Sequence, residues 1–154
     1  MLRVGYESKV TWREETELLR CSPKFHGAPR HDSAILAYRD RAVFCQLIYT
    51  FTYTFQGVTC GLALVQPFDA PLSLGHSRQQ VDYGLGLCRV KSRSRKDSIV
   101  VPIRSLVRGA LTIAEHSSLH SNERLVVDAL DGDMFLRCID IFPNRDLAAQ
   151  IRML

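Results

Sequence analysis

A chain of 154 residues, 46% hydrophobic and 23% charged, has the length and composition of one ordinary domain able to build its own core. With a mean hydropathy of -0.04 it is neither a multi-span membrane protein nor a wholly disordered or collagen-like chain. The formal net charge of +4 is unevenly placed: residues 1–77 carry eight Lys/Arg against seven Asp/Glu, residues 78–108 eight against two, and residues 109–154 four against seven.

In chain order, residues 14–19 fit a helical turn or a strand equally well. Residues 21–31 hold two prolines, a glycine and two histidines and read as an irregular loop. Residues 34–38 are a short apolar strand ended by the polar turn Arg39-Asp40-Arg41. Residues 43–55 give the clearest signal: Val43, Cys45, Leu47, Tyr49, Phe51, Tyr53 and Phe55 alternate with other residues, Thr50, Thr52 and Thr54 among them, as in a half-buried strand. Gln56-Gly57 supplies a tight turn into a second strand, residues 58–65. A two-residue loop sets Phe55 opposite Val58, Tyr53 opposite Cys60, Phe51 opposite Leu62 and Tyr49 opposite Leu64. It leaves Thr50, Thr52 and Thr54 facing Ala63, Gly61 and Thr59 as a small, mildly polar surface.

Residues 66–78, with Pro67, Pro71 and Gly75, read as a loop. Further strands are expected over 85–91, 98–101, 106–113 and 124–130, and a short helical turn is an alternative within 101–107. Residues 146–153 are the best helix candidate, with Asn144 as a cap. The expected fold is mainly β: a small antiparallel barrel or bent sheet with a central hairpin and a short C-terminal helix. It forms one domain over 1–154 with its core in about 21–142, and 1–20 and 143–154 peripheral.

No run approaches the ~20 apolar residues of a membrane helix, and residues 1–10 lack the apolar stretch of a secretory signal. Cys21, Cys45, Cys60, Cys88 and Cys138 are odd in number and include no Cys-x-x-Cys pair, as suits reduced thiols. An intracellular protein, nuclear or cytoplasmic and without a membrane partner, is expected.

The basic run holds Arg89, Lys91, Arg93, Arg95 and Lys96. If the run is extended, the first four share one face, and such a stripe suits the phosphates of DNA or RNA. The competing reading is a solvated hairpin whose charges blunt an edge strand. Ser92 and Ser94 stand in Arg-Ser contexts, where phosphorylation would reverse the local charge. Trp12, Tyr38 and Tyr83 are aromatics able to stack on bases, but no pattern sets them beside the stripe.

Asp128, Asp131 and Asp133, with Glu115 and Glu123 nearby, offer an alternative metal site of nuclease type. Gly132 precedes Asp133, which departs from the calcium-loop order, and a strand end followed by an Asp-Gly turn explains the same residues. His116 with His120, and Cys21 with His26 and His31, are incomplete zinc sets. No Gly-x-Ser-x-Gly elbow, Walker loop or Gly-x-Gly-x-x-Gly turn is present, so a non-enzymatic module without a cofactor is expected.

Several short phrases carry a resemblance: Cys21-Ser22-Pro23-Lys24-Phe25-His26-Gly27, then Pro29-Arg30-His31-Asp32, Leu62-Ala63-Leu64-Val65-Gln66-Pro67, Gly86-Leu87-Cys88-Arg89-Val90, Ser105-Leu106-Val107-Arg108-Gly109-Ala110 and Val126 through Leu136. Over about residues 21–137 the chain resembles the small β-rich domain of Plavaka-like transposable-element proteins of mushroom-forming fungi and its free-standing relatives. Residues 100–108 are also faintly similar to bromo-adjacent-homology-like modules. The resemblance implies an accessory or remnant module associated with nucleic acid or with another protein, such as the rest of a transposon-encoded chain. There is no room for the recombinase itself.

Overall fold

The central hairpin forms in the register that turn chemistry and alternation predict. Strands β1 (Leu2–Glu7), β2 (Glu14–Leu19), β3 (Cys21–Phe25), β4 (Ala28–His31) and β5 (Ser33–Tyr38) precede it. The hairpin itself is β6 (Arg41–Phe55) and β7 (Val58–Asp69); then come β8 (Cys88–Ser92), β9 (Ile99–Pro102), β10 (Leu106–Ala114), β11 (Glu123–Val127) and, among the described residues, the helix α1 (Gly132–Ile141). The structure, a computed structural model, describes residues 1–69, 87–114 and 122–142. The helix expected over 146–153, the rest of the loop expected to reach residue 78, and Tyr83, Glu115, His116 and His120 lie outside the described residues.

Gln56 and Gly57 both take positive φ, 49° and 79°, the geometry of a two-residue turn whose twist matches its strands. Phe55 pairs with Val58, Tyr53 with Cys60, Phe51 with Leu62 and Tyr49 with Leu64. The register then shifts: Leu47, not Ile48, pairs with Val65. Ile48 is the extra residue of a bulge, and a one-residue slip sends every later side chain to the opposite face. Cys45 and Leu47 are therefore buried, while Tyr49, Tyr53 and Phe55, in the same alternation, are exposed. The half-buried strand read from residues 43–55 is half-buried only as far as the bulge.

One sheet holds seven strands, in the order β6-β5-β10-β11-β8-β7-β9 with β6 also paired to β7. The sheet is thus partly ring-like without closing into a clear barrel, since among the described residues β7 meets β8 only through Phe68–Ser92 and Asp69–Lys91. Its two faces carry separate apolar clusters. One gathers Ala34, Leu36, Cys45, Leu47, Val65 and Leu106 with Val4 and Leu19 of the β1–β2 hairpin. The other gathers Ile35, Phe44, Phe68, Val90 and Val126 with Met134, Cys138 and Phe142 at the helix. Each such side chain contributes about 1.5–3 kcal/mol when fully buried, so both the hairpin and the helix belong to the core. Residues 1–20, expected to be peripheral, thus help to build it.

Two local expectations are corrected. Residues 21–31 form the hairpin β3–β4 instead of an irregular loop: His26 and Gly27 take positive φ, 49° and 88°, as a tight turn, and Pro23 and Pro29 sit in a two-stranded sheet that tolerates a missing donor. Asp131-Gly132 starts α1 instead of making a turn, because the Asp131 carboxylate caps the helix, accepting from the Met134 N–H at 2.7 Å. Met134, Cys138 and Ile141 then fall on its apolar side. Residues 14–19 resolve as a strand, and Ile103–Ser105 is a single 3-10 turn.

Candidate functional site

The acidic cluster is not an open carboxylate site. Asp131 and Asp133 converge on Arg108, a buried residue of β10 whose Nη1 donates to Asp133 at 2.7 Å and whose Nη2 donates to Asp131 at 3.0 Å and to Glu17 at 2.5 Å. Arg137, one turn along α1, donates to Asp133 at 2.7 Å. The Tyr6 ring lies under both guanidinium groups, 4.7 Å from Arg108 and 5.7 Å from Arg137. The Glu17 carboxylate also accepts from the Gly109 N–H at 2.7 Å, and the Lys9 N–H donates to Asp133 at 2.6 Å. This network ties β1–β2 to β10 and α1.

The titration of these groups follows from the geometry. The hydrogen bond from Arg108 holds the Asp131 carboxyl below the usual range against some burial. Burial pushes Asp133 up, but hydrogen bonds from Arg137, the Lys9 amide and Arg108 outweigh it, so its pKa is also lowered. Burial pushes the Tyr6 phenol up, against the pull of Arg108. Asp128 is buried in the stretch between β11 and α1. The metal reading of Asp128, Asp131 and Asp133 is therefore corrected: a guanidinium stands where a cation was expected for Asp131 and Asp133. Among the described residues no group of three or more His, Cys, Asp or Glu is placed to hold a metal ion.

The basic run divides. Only residues 88–92 are strand, and Arg89 there is 8% exposed, with its Nη1 3.8 Å from the Glu123 carboxylate. It does not join a surface stripe. Lys91, Arg93, Arg95 and Lys96 are exposed. The Arg93 N–H donates to the Pro67 carbonyl at 3.1 Å, and its carbonyl accepts from the Gln66 amide at 2.5 Å, which pins the run to the edge of β7. The 3-10 turn Arg95–Asp97 follows, capped by Ser94. Lys91, Arg93 and Arg95, with Ser92 and Ser94, open onto one shallow cleft of about 960 Å³, which Asp69 and Asp97 also line. Asp69 holds the Arg93 Nε at 2.7 Å.

A second cleft, of about 950 Å³, meets the first at Asp69 and Arg93 and adds Tyr38, Arg39 and Arg41. Arg39 and Arg41 had read only as a polar turn. Positive φ at Arg39 and a guanidinium 5.4 Å over the Tyr38 ring show that turn folded beside the aromatic residue. Of the aromatics that sequence offered for stacking, Tyr38 reaches this cleft, and Trp12 lies exposed near the tip of the β1–β2 hairpin.

The aromatics that sequence reasoning did not assign to the site lie on β6. Beyond the bulge, Tyr49 (60% exposed), Tyr53 (54%) and Phe55 (59%) stand on the face that also carries Leu64, Leu62 and Val58. Val100 of β9 pairs with Leu64 and widens the patch. Gln66, which holds the basic run, lies on that same face of β7, two residues from Leu64. The signal was present in residues 43–55, but only the bulge turns it outward.

None of the five cysteines forms a disulfide, and burial pushes Cys45 and Cys138 to about 12, which makes them packing groups. No helix among the described residues is long and apolar enough to cross a membrane. Compared with family models, curated proteins and solved structures, the chain matches none.

Proposed function

We propose that this chain is a non-catalytic binding module that contacts nucleic acid through the basic run between β8 and β9, within a mobile-element-derived protein. The observation that carries this reading is the exposure of Lys91, Arg93 and Arg95 on one open cleft, with Lys96 exposed beside it. Long cationic side chains on a concave surface suit phosphates, and hydrogen bonds joining the Arg93 backbone to the Pro67 carbonyl and the Gln66 side chain of β7 hold the segment in place beforehand. Arg89 takes no part. Asp131 and Asp133 are engaged by Arg108, which supports a part for them in the fold over one in metal-assisted hydrolysis.

The test is a titration of labelled oligonucleotides by fluorescence anisotropy across about 50 to 200 mM salt. Affinity should fall linearly on a double-logarithmic plot. In the Arg93→Gln/Arg95→Gln variant the single-strand slope should flatten by about 1.4, since each lost phosphate contact removes about 0.7. Asp69→Asn frees Arg93 from its carboxylate and should strengthen binding. An absence of binding at the lowest salt, or a double variant indistinguishable from the parent, contradicts the reading.

A further inference from the structure

Resting on that nucleic-acid reading, we propose that the outward face of the β6–β7 hairpin is a stacking platform for unpaired bases, so that the ligand is a single strand. The sequence alternation that would ordinarily bury an aromatic row instead exposes it here, because Ile48 is inserted as a bulge. Tyr49 and Phe51 lie near-parallel, with centroids 6.2 Å apart and planes at 19°. Tyr53 and Phe55 repeat this at 6.5 Å and 8°. The four rings therefore make two near-parallel pairs along one strand. Their other neighbours are aliphatic or small: Leu64, Leu62, Cys60 and Val58 across the pairing.

An exposed apolar row needs an occupant, and the neighbouring charge identifies it. The basic run is fixed at Arg93 to Gln66, on the same face of β7 and two residues from Leu64, the partner of Tyr49, so it starts near one end of the aromatic row. An apolar partner would cover the rings and bring no anion to the exposed cations of the run. A duplex would supply phosphates but keep its base faces stacked internally. A single strand supplies both, with bases on the rings and the phosphate backbone on the cations, the combination used by sequence-tolerant single-strand binders. Thr54 and Thr59, bonded to each other at 2.8 Å on the other face near the hairpin tip, hold the two strands together without entering the platform.

The experiment compares single-stranded and duplex oligonucleotides of equal length with the full chain and with Tyr49→Ala, Tyr53→Ala and Tyr53→Leu. The two tyrosines are more than half exposed, so the variants should keep the parent urea midpoint. Each alanine variant should lose about 5- to 100-fold in single-strand affinity, with the salt slope unchanged because no phosphate contact is removed. Tyr53→Leu should lose a similar factor, since it keeps the apolar surface and removes only the flat ring. Duplex affinity should be weaker in the parent and the same in all three variants.

If the tyrosine variants bind the single strand like the parent while Arg93→Gln/Arg95→Gln weakens it, the platform falls and the nucleic-acid reading stands. If neither set changes affinity, both fall. Sedimentation without oligonucleotide gives the remaining outcome: a dimer that Tyr53→Ala converts to monomer assigns the face to a second copy of this chain and overturns the proposal.

Discussion

The molecule gathers arginines in two places and uses them in opposite ways. Around Arg108 the cations are sealed: Glu17, Asp131 and Asp133 surround one guanidinium, Arg137 shares Asp133, and Tyr6 covers both. Along the β8–β9 connection they are open, and the cleft they line is wide enough to admit a ligand. Each sealed group already has its counter-ion inside the fold. Of the open cations, Arg93 is held by Asp69, a half-exposed carboxylate that a ligand can displace. The lesson is that the density of charged residues in sequence does not identify a binding surface; where the counter-charges come from does.

The contrast breaks most visibly at Arg108. Removing this guanidinium takes one partner from the buried Asp133, which keeps Arg137 and the Lys9 N–H, and one each from the partly exposed Asp131 and Glu17. Arg108→Leu should therefore destabilise the fold by about 3 kcal/mol, the low end for breaking a buried pair, measured by urea denaturation. Adding Asp133→Asn to that variant should recover part of the loss, and the double-mutant cycle then gives the coupling directly. A loss below about 1 kcal/mol, the range of an exposed ion pair, would place the network on the surface side of the comparison.

Acid sharpens the same contrast more gently. Asp131 and Asp133 titrate lower in the folded chain than unfolded, so their contribution to stability is present above the unfolded carboxylate value of about 4. That contribution is lost as the pH falls through the lowered folded values. The urea midpoint should thus hold from about pH 7 to 5 and drop below about pH 4, with a smaller drop in Asp133→Asn. A midpoint that rises on acidification to about pH 3 contradicts the network as described.

Much of the sheet was legible because separate local signals agreed. Gln56-Gly57 and the alternation on either side of it point to one register from Tyr49–Leu64 to Phe55–Val58, and it is the register formed as far as the bulge. The bulge at Ile48 left no mark of its own: an isoleucine suits a strand on either face, so the flip of Tyr49 through Phe55 could be seen only in the pairing. The β3–β4 hairpin was hidden by its prolines, whose edge positions cost it no ladder bonds. Helix α1 has a readable start in Asp131 and a readable face in Met134 and Cys138, but an Asp-Gly pair after a strand equally signals a turn. The Arg108 network had no local signal at all, since Glu17 and Arg108 are 91 residues apart. Arg39 and Arg41 likewise join Arg93 only through the folding of the β5–β6 turn against β7.

The claim that the open region, and not the sealed one, meets the ligand is tested most directly by amide hydrogen exchange with and without a saturating single-stranded oligonucleotide. Residues 49–64 and 91–100 should exchange more slowly in the complex, with residues 15–19 and 131–141 unchanged. Protection confined to the Arg108 network, or no change anywhere at saturation, would contradict the account.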